Sequence, residues 1–531
     1  ESGMDATAVI GQPDFNSTTP QSGAQGLLQP SFLAYDQEKE ILYVSDAKKR
    51  AMVFDVSSQA LDTSAHKTAF AVIGQTDYDS NAPRSSMRKY SGGGPISLDY
   101  RYNRLFSATF TENRVLIFDV SPENLQGPSD PDAIAVLGQP SYESTDPAVT
   151  QTRLTMTRVT VDSERQIAYV PDGYPAGNHI NIFDIHPDRM QEFLTPQIDQ
   201  IGHINPEGDP DFLARAAHDR ADGKYWTQGR DVTVDTEDHR LFLNDFYGHR
   251  VLVFQLDRMN RLLDREASWA IGQEDTNTEV LLPGRNASAL KLPMAVEYDS
   301  SYKRLFVADT WNNRVLAFDM TPGQVESGMA ATHVLGQENF ASYEVATAAD
   351  RISFGTRNAR GIGPAGGRPA AMALDKVNQR LFVADGENNR VLIFDMHPDR
   401  IESGADAIGV IGQNDFVSND PGLSASKFSL PGDMVMDDEN QRLFVELPFQ
   451  DRILVFDVHP ERFENGLSAS WVRKTSPVIH QECPVPGSVN QMASVTILCS
   501  IIFMSRINLT TAYSLLMWIR SACAICQRQL A

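Results

Sequence analysis

Pro293-Met-Ala-Val-Glu-Tyr-Asp299, Arg304-Leu-Phe-Val-Ala-Asp309, Asn313-Arg-Val-Leu-Ala-Phe-Asp319 and His333-Val-Leu-Gly-Gln337 are four short apolar phrases in one stretch of the chain. The stretch then repeats as Pro369-Ala-Ala-Met-Ala-Leu-Asp375, Arg380-Leu-Phe-Val-Ala-Asp385, Asn389-Arg-Val-Leu-Ile-Phe-Asp395 and Val410-Ile-Gly-Gln413. Each phrase is a run of Val, Leu, Ile and Phe closed by Asp, Asn, Gly or Pro, which is the signature of a short buried strand between turns. Helical periodicity over 11 or more residues is not evident in these units.

The repeat extends along most of the chain. Its third phrase opens at Arg50, Arg114, His179, Arg250, Arg314, Arg390 and Arg452, spacings of 64, 65, 71, 64, 76 and 62 residues. The glycine of its fourth phrase falls at Gly11, Gly74, Gly138, Gly202, Gly272, Gly336 and Gly412, the last six 22–24 residues after the opening of the third. Four short strands per unit at a period near 65 predict β-propeller blades, because solenoid repeats are shorter and helical repeats carry a 3.6-residue period. Expected blades span about 30–75, 94–139, 156–203, 229–273, 292–337, 369–413 and 431–458. The last lacks a fourth phrase, while Ala6-Thr-Ala-Val-Ile-Gly-Gln12 is a fourth phrase without the other three. Joining 6–12 to 431–458 predicts seven four-stranded antiparallel blades, with the ring closed by the N-terminal strand. The alternative is that Ser468-Ala-Ser-Trp-Val472 supplies the last strand. Closure removes the exposed edges that an open array would carry.

The unit resembles the NHL-repeat β-propellers, a family named for an Asn-His-Leu signature at one strand start. Asn178-His179-Ile180 stands at that place, with Asn312-Asn-Arg-Val315 and Asn388-Asn-Arg-Val391 as variants. The resemblance covers about residues 1–465. It departs from the family in its longer units and in the Ile/Leu-Gly-Gln strand. It implies a binding platform for protein or RNA, as in many members, or a metal-dependent lyase, as in one branch. Related propellers include lactonases with calcium in the central channel. Fold alone chooses among none of these.

Composition narrows the partners. The 531 residues carry 46 Lys+Arg and 69 Asp+Glu, a formal charge of −23. Residues 467–531 hold five basic residues and one acid, so residues 1–466 carry −27. Such a surface repels phosphate backbones and disfavours nucleic acid and anionic membranes. All four cysteines (Cys483, Cys499, Cys523, Cys526) lie in the 467–531 tail, so no disulfide framework holds the propeller body. The tail's longest apolar stretch, Met492 to Met504, is shorter than the roughly 20 residues of a transmembrane helix. A membrane anchor, a helical appendage and an unstructured terminus all remain open for it. Cys523-Ala-Ile-Cys526 lacks a βαβ context and cannot by itself make a four-ligand zinc site. The chain opens Glu1-Ser2-Gly3, which fits a removed leader and an extracytoplasmic location, or a fragment.

Strand parity selects the candidate residues. Turns between second and third strands emerge on the same face as the long connections from each fourth strand to the next blade, and long loops on a rigid scaffold are where binding concentrates. Tyr247 and Trp311 are large aromatics placed in those turns, His179 and His249 adjoin the third-strand start, and loop 203–230 contributes His218 and Trp226. The repeated Asp/Asn turns read as structural, with each Arg paired to an Asp of a neighbouring unit. The first strands line the channel, where the polar exceptions are Arg158, Arg230, Asp231, Glu297 and Asp433. Converging carboxylates of Asp231, Glu297 and Asp433 would suit calcium or magnesium, unless Arg158 or Arg230 neutralises them. Two functions follow. One is a module that binds a protein or small-molecule ligand on the loop-rich face and channel. The other is a divalent-metal-dependent hydrolase, most plausibly a lactonase, at the channel. No Ser-His-Asp arrangement or phosphate-cradling glycine loop is supported by the spacing.

Overall fold

The apolar phrases form strands because their β-branched and aromatic residues pack on both faces, and their closing Asp, Asn and Gly residues supply the turns. The computed structural model describes residues 4–61, 66–80, 94–109, 112, 114–126, 131–142, 144, 159–172, 179–193, 195, 197–202, 229–278, 285–342, 352 and 371–461. The tail 467–531 therefore lies outside the described residues.

In chain order, β1 (Ala8–Ile10) precedes the first blade. Blade 1 has β2 (Phe32–Asp36), β3 (Ile41–Asp46) and β4 (Arg50–Asp55), then a two-residue β5 (His66–Lys67) that leaves the blade, then β6 (Ala71–Ile73). Blade 2 has β7 (Ile96–Asp99), β8 (Arg104–Thr109), β9 (Arg114–Asp119) and β10 (Ala133–Leu137). Blade 3 has β11 (Thr160–Asp162), β12 (Ile167–Asp172), β13 (His179–Asp184) and β14 (Gln197–Ile201). Blade 4 has β15 (Gly229–Asp235), β16 (Arg240–Asp245), β17 (Arg250–Gln255) and β18 (Trp269–Ile271). Blade 5 has β19 (Ala295–Asp299), β20 (Arg304–Asp309), β21 (Arg314–Asp319) and β22 (His333–Leu335). Blade 6 has β23 (Met372–Asp375), β24 (Arg380–Asp385), β25 (Arg390–Asp395) and β26 (Gly409–Ile411). Blade 7 has β27 (Met434–Asp437), β28 (Arg442–Leu447) and β29 (Arg452–Asp457).

Each sheet is an antiparallel meander, and the seventh is completed by β1. Ala8, Val9 and Ile10 pair with Val455, Leu454 and Ile453, so the ring is closed by the N-terminal strand. An addition the sequence did not announce is β5, which runs parallel to β1 on its other side, with Val9 opposite His66 and Ile10 opposite Lys67. The apolar core lies between blades. Phe242, Val253 and Ile271 of blade 4, for example, pack with Val296, Leu305 and Leu316 of blade 5.

Polar seams reinforce these apolar ones. The Arg that opens a blade's second strand pairs with the Asp that closes its first: Arg104 with Asp99 at 2.6 Å, and Arg240 with Asp235 at 2.6 Å. The same guanidinium then reaches the next blade. Arg104 donates to the Ile185 carbonyl (2.8 Å), Arg240 to Met320 (2.6 Å), Arg380 to Val458 (2.7 Å), and Arg442 crosses the closure to Val56. Each of these Arg groups also lies over the ring of the Phe two residues on, as Arg104 over Phe106 and Arg380 over Phe382. Blades 1 and 3 have Ile41 and Ile167 in place of the Arg, and there the Phe becomes Tyr43 and Tyr169. Tyr169 donates its hydroxyl to the Asn260 carbonyl of blade 4 at 2.6 Å, taking over the crossing.

Candidate functional site

One end of the ring is built by the second-to-third-strand turns and the connections between blades. The buried Arg that opens the third strand in every blade but the third holds these two sets together. Arg314 pairs with Asp309 of its own strand pair at 2.7 Å, and Arg390 with Asp385 at 2.7 Å. The expectation that such an Arg pairs with an Asp of a neighbouring unit is therefore corrected. The carboxylate lies directly across the same ladder, Asp309 opposite Arg314, where backbone pairing already fixes both ends of the bond. What the Arg takes from further away is carbonyl oxygen. Arg314 donates to Asn286 (3.1 Å) and Ala289 (2.8 Å) before the blade and to Phe340 after it. Arg390 donates likewise to Phe416, Arg50 to Tyr78 and Arg452 to Phe15. The accepting residues share a turn, Gly-Gln-x-Asp/Asn-aromatic, seen at 11–15, 74–78, 336–340 and 412–416. Its Asp or Asn folds the turn by accepting the N–H two residues on, as Asp14 does from Asn16 (2.8 Å) and Asp415 from Val417 (2.9 Å). Gly412 is held at φ +91°, and a Cβ there would stand 2.3 Å from the Phe428 ring, so the loop packs on the glycine itself.

The residue before these Arg groups is left-handed: Lys49 (φ 61°), His249 (54°), Asn313 (51°), Asn389 (54°) and Asp451 (51°). Three of their side chains accept a backbone N–H from the incoming connection. His249 Nδ1 accepts from Leu292 (3.1 Å), Asn389 Oδ1 from Leu430 (3.0 Å) and Asp451 Oδ1 from Gln29 (2.7 Å). His249 is thus a turn acceptor, neutral with its proton on Nε2, and burial holds it below the usual histidine range.

The turns also present side chains outward. Tyr247 is 53% exposed and lies edge-on to Phe246, with centroids 4.9 Å apart. Trp311 is half-buried, with the Lys291 ammonium 5.5 Å from its ring centroid. Phe449 is 49% exposed at the corresponding place in blade 7. All three stand three residues before the third-strand Arg, at Arg250, Arg314 and Arg452, where blades 1 and 6 have Ala47 and Glu387. Phe449 is not among the turn aromatics read from the sequence, and counting back three residues from each third-strand Arg finds it beside Tyr247 and Trp311.

The channel holds an open cavity of about 340 Å³, lined from blades 1–5 and 7. Glu297 lines it beside Ser97, Thr160 and Thr233, with Ala34 and Val435 on the other side. Asp433 does not line this cavity. Its Oδ2 accepts the Leu33 N–H of blade 1 (3.0 Å), Oδ1 accepts that of Met434 (3.1 Å), and its own N–H donates to Glu446 Oε2 (2.8 Å). Asp231 stands opposite Asn244 in the β15–β16 ladder. The side chains of Asp231, Arg230 and His179 lie outside the described residues, and so do Arg158, His218 and Trp226 altogether. Among the described residues no three His, Cys, Asp or Glu side chains gather where they could hold a metal ion. Glu297 and Asp433, the two described members of the expected carboxylate set, occupy different settings, one facing the cavity and one bound to backbone N–H groups.

The strand pairing defines a seven-bladed β-propeller of four-stranded antiparallel blades. No family model matches the chain, so the NHL-repeat resemblance is not confirmed at the level of family. No curated protein matches it either. Among solved structures it is similar to the β-propeller domain of Myceliophteria thermophila Cps50 (Swd1), at 8% identity and TM-score 0.45, covering 84% of this chain and 99% of that one. It is also similar to a chain of the mitotic checkpoint complex, at 10% identity and TM-score 0.44, covering 84% and 93%. Neither likeness carries an argument about function.

Proposed function

We propose that the protein is a binding module whose loop-bearing face docks a protein partner. The observation that carries this reading is the repeated outward placement of Tyr247, Trp311 and Phe449 at one turn position. Each is set on a turn that a buried Arg and a left-handed residue hold rigid. Large aromatics on preorganised turns contribute contact area at little entropic cost, and such residues dominate interface energetics. Nothing in blade architecture requires them, since Ala47 and Glu387 serve the same turn. The −27 charge of residues 1–466 favours a partner with a basic surface, since charge complementarity speeds encounter and rejects acidic competitors.

The test is binding to a purified partner obtained by cross-linking capture. The triple variant Tyr247→Ala/Trp311→Ala/Phe449→Ala is compared with Tyr302→Ala, whose exposed ring lies in the β19–β20 turn at the other end of the ring. The triple variant is expected to weaken binding at least ten-fold and Tyr302→Ala to leave it unchanged. Unaltered binding by a folded triple variant overturns the proposal.

A further inference from the structure

We infer that the central channel is a binding site for a small neutral polyol, a monosaccharide or cyclitol, separate from the aromatic face. The inference starts from one level of the inner strands. Two residues before the Asp that closes each first strand stand Ala34, Ser97, Thr160, Thr233, Glu297, Ala373 and Val435, in blade order. The polar four are contiguous, in blades 2–5, and the apolar three fill the rest of the ring. The blade does not demand polarity there, because Ala and Val satisfy the same position. A layer that is hydroxyl- and carboxylate-bearing along one arc and aliphatic along the other matches a saccharide ring, which presents hydroxyls at its edge and C–H groups on its face.

Ser97, Thr160, Thr233 and Glu297 all line the cavity, as do Ala34 and Val435 opposite them. Thr160 Oγ1 donates to the Val232 carbonyl at 3.2 Å, and the same oxygen can still accept from a ligand hydroxyl. Ser97 and Thr233 can both donate and accept, and the two oxygens of the Glu297 carboxylate have lone pairs enough to accept from a ligand hydroxyl in addition to a protein partner. The cavity's 340 Å³ lies at the lower end of the roughly 300–1,000 Å³ of small-molecule sites, which fits a single sugar ring and not an oligomer. The same layer is poorly suited to a hard divalent cation. One carboxylate and three hydroxyls fall short of the six to eight oxygens that Ca²⁺ takes, and the aliphatic arc supplies none.

The experiment titrates the full chain with glucose, galactose, mannose and myo-inositol, each separately, using saturation-transfer NMR and calorimetry. At least one is expected to bind saturably at one site per chain. Glu297→Ala should weaken it about ten-fold or more, and Thr233→Val about two- to ten-fold. Ala34→Leu, which fills the aliphatic arc, should abolish it; should that variant fail to fold, Glu297→Gln is read in its place. The aromatic-face triple variant should bind the polyol unchanged, so the two proposals fail independently. Absence of saturable binding by the folded chain at tens of millimolar ligand, or binding indifferent to every channel variant, overturns the inference.

Discussion

Leu447 stands directly opposite Arg452 in the β28–β29 ladder. In blades 1, 4, 5 and 6 the residue facing that Arg is Asp, as Asp385 faces Arg390. Arg452 is fully buried, donates to Phe15 and Gln450, and among the described residues its buried Nε has no partner. Burial, partly offset by Asp14, brings its pKa down to about 10.

The two arginines should therefore respond differently to removal. Arg390→Met strands the buried Asp385 carboxylate and should cost about 3–5 kcal/mol. Arg452→Met strands no carboxylate and should cost clearly less, although it loses carbonyl contacts. Urea denaturation of both variants measures the difference. Equal losses would show that the carbonyl network, and not the ion pair, sets the energetics of these sites.

Deleting residues 4–15 removes β1, and with it the pairing of β29 on one side and of β5 on the other. The expected fall in Tm is well beyond the roughly 2–4 °C that 1 kcal/mol represents in a domain of 150–250 residues. An unchanged melting curve would mean that the ring does not need its closing strand.

His249 gives the fold an acid sensitivity. Its pKa in the folded protein lies below 6.5 because it is buried, so on acidification the unfolded chain takes up the proton first. Stability should accordingly be complete above pH 6.5 and decline as the pH falls below it, toward the folded-state pKa. His249→Asn keeps both the left-handed backbone and the acceptor, as Asn389 shows, and should flatten the decline. Melting curves between pH 5 and 8 decide it, and an identical slope in the variant would assign the sensitivity elsewhere.

Asn244 is fully buried, and among the described residues neither its Oδ1 nor its Nδ2 has a hydrogen-bond partner. Blades 5 and 6 use Ala308 and Ala384 at this position. Removing an unpaired buried amide should raise stability by about 1–2 kcal/mol in Asn244→Ala, measured by denaturant midpoint. A loss of stability would show that the amide is hydrogen-bonded in solution.

Much of this architecture was legible in the chain because its information is local. Strand length, Asp and Asn turns and the Gly-Gln ends all recur within one unit, and the surplus strand at 6–12 matched the shortage after 458. Contacts between units were read poorly. The exchange of Arg and Phe for Ile and Tyr in blades 1 and 3 is visible as a pattern at 41–43 and 167–169. Its meaning in blade 3, the Tyr169 hydroxyl crossing to Asn260, appears only when blade 4 is in place. The same holds for Asp433. Its charge suggested a channel ligand, but its oxygens are taken up by the backbone N–H groups of Leu33 and Met434, and one of those lies in another blade. Glu297, by contrast, does reach the cavity. The hydroxyls flanking it carry no signal of their own in the sequence, because Ser and Thr are ordinary strand residues until three of them share one height.

The short β5 has a consequence for biosynthesis. β1 and its principal partner β29 are separated by about 440 residues. At ribosomal speeds of roughly 5–20 residues per second, Ala8–Ile10 would wait roughly 20–90 s for the strand that completes their sheet. During that interval an apolar edge would invite pairing with other nascent chains. His66–Lys67 follow β1 by fewer than sixty residues and can occupy one side of it within roughly 3–11 s of its synthesis. β5 can thereby cover one edge of the closing strand early, while the edge that faces β29 stays open until the last blade is translated.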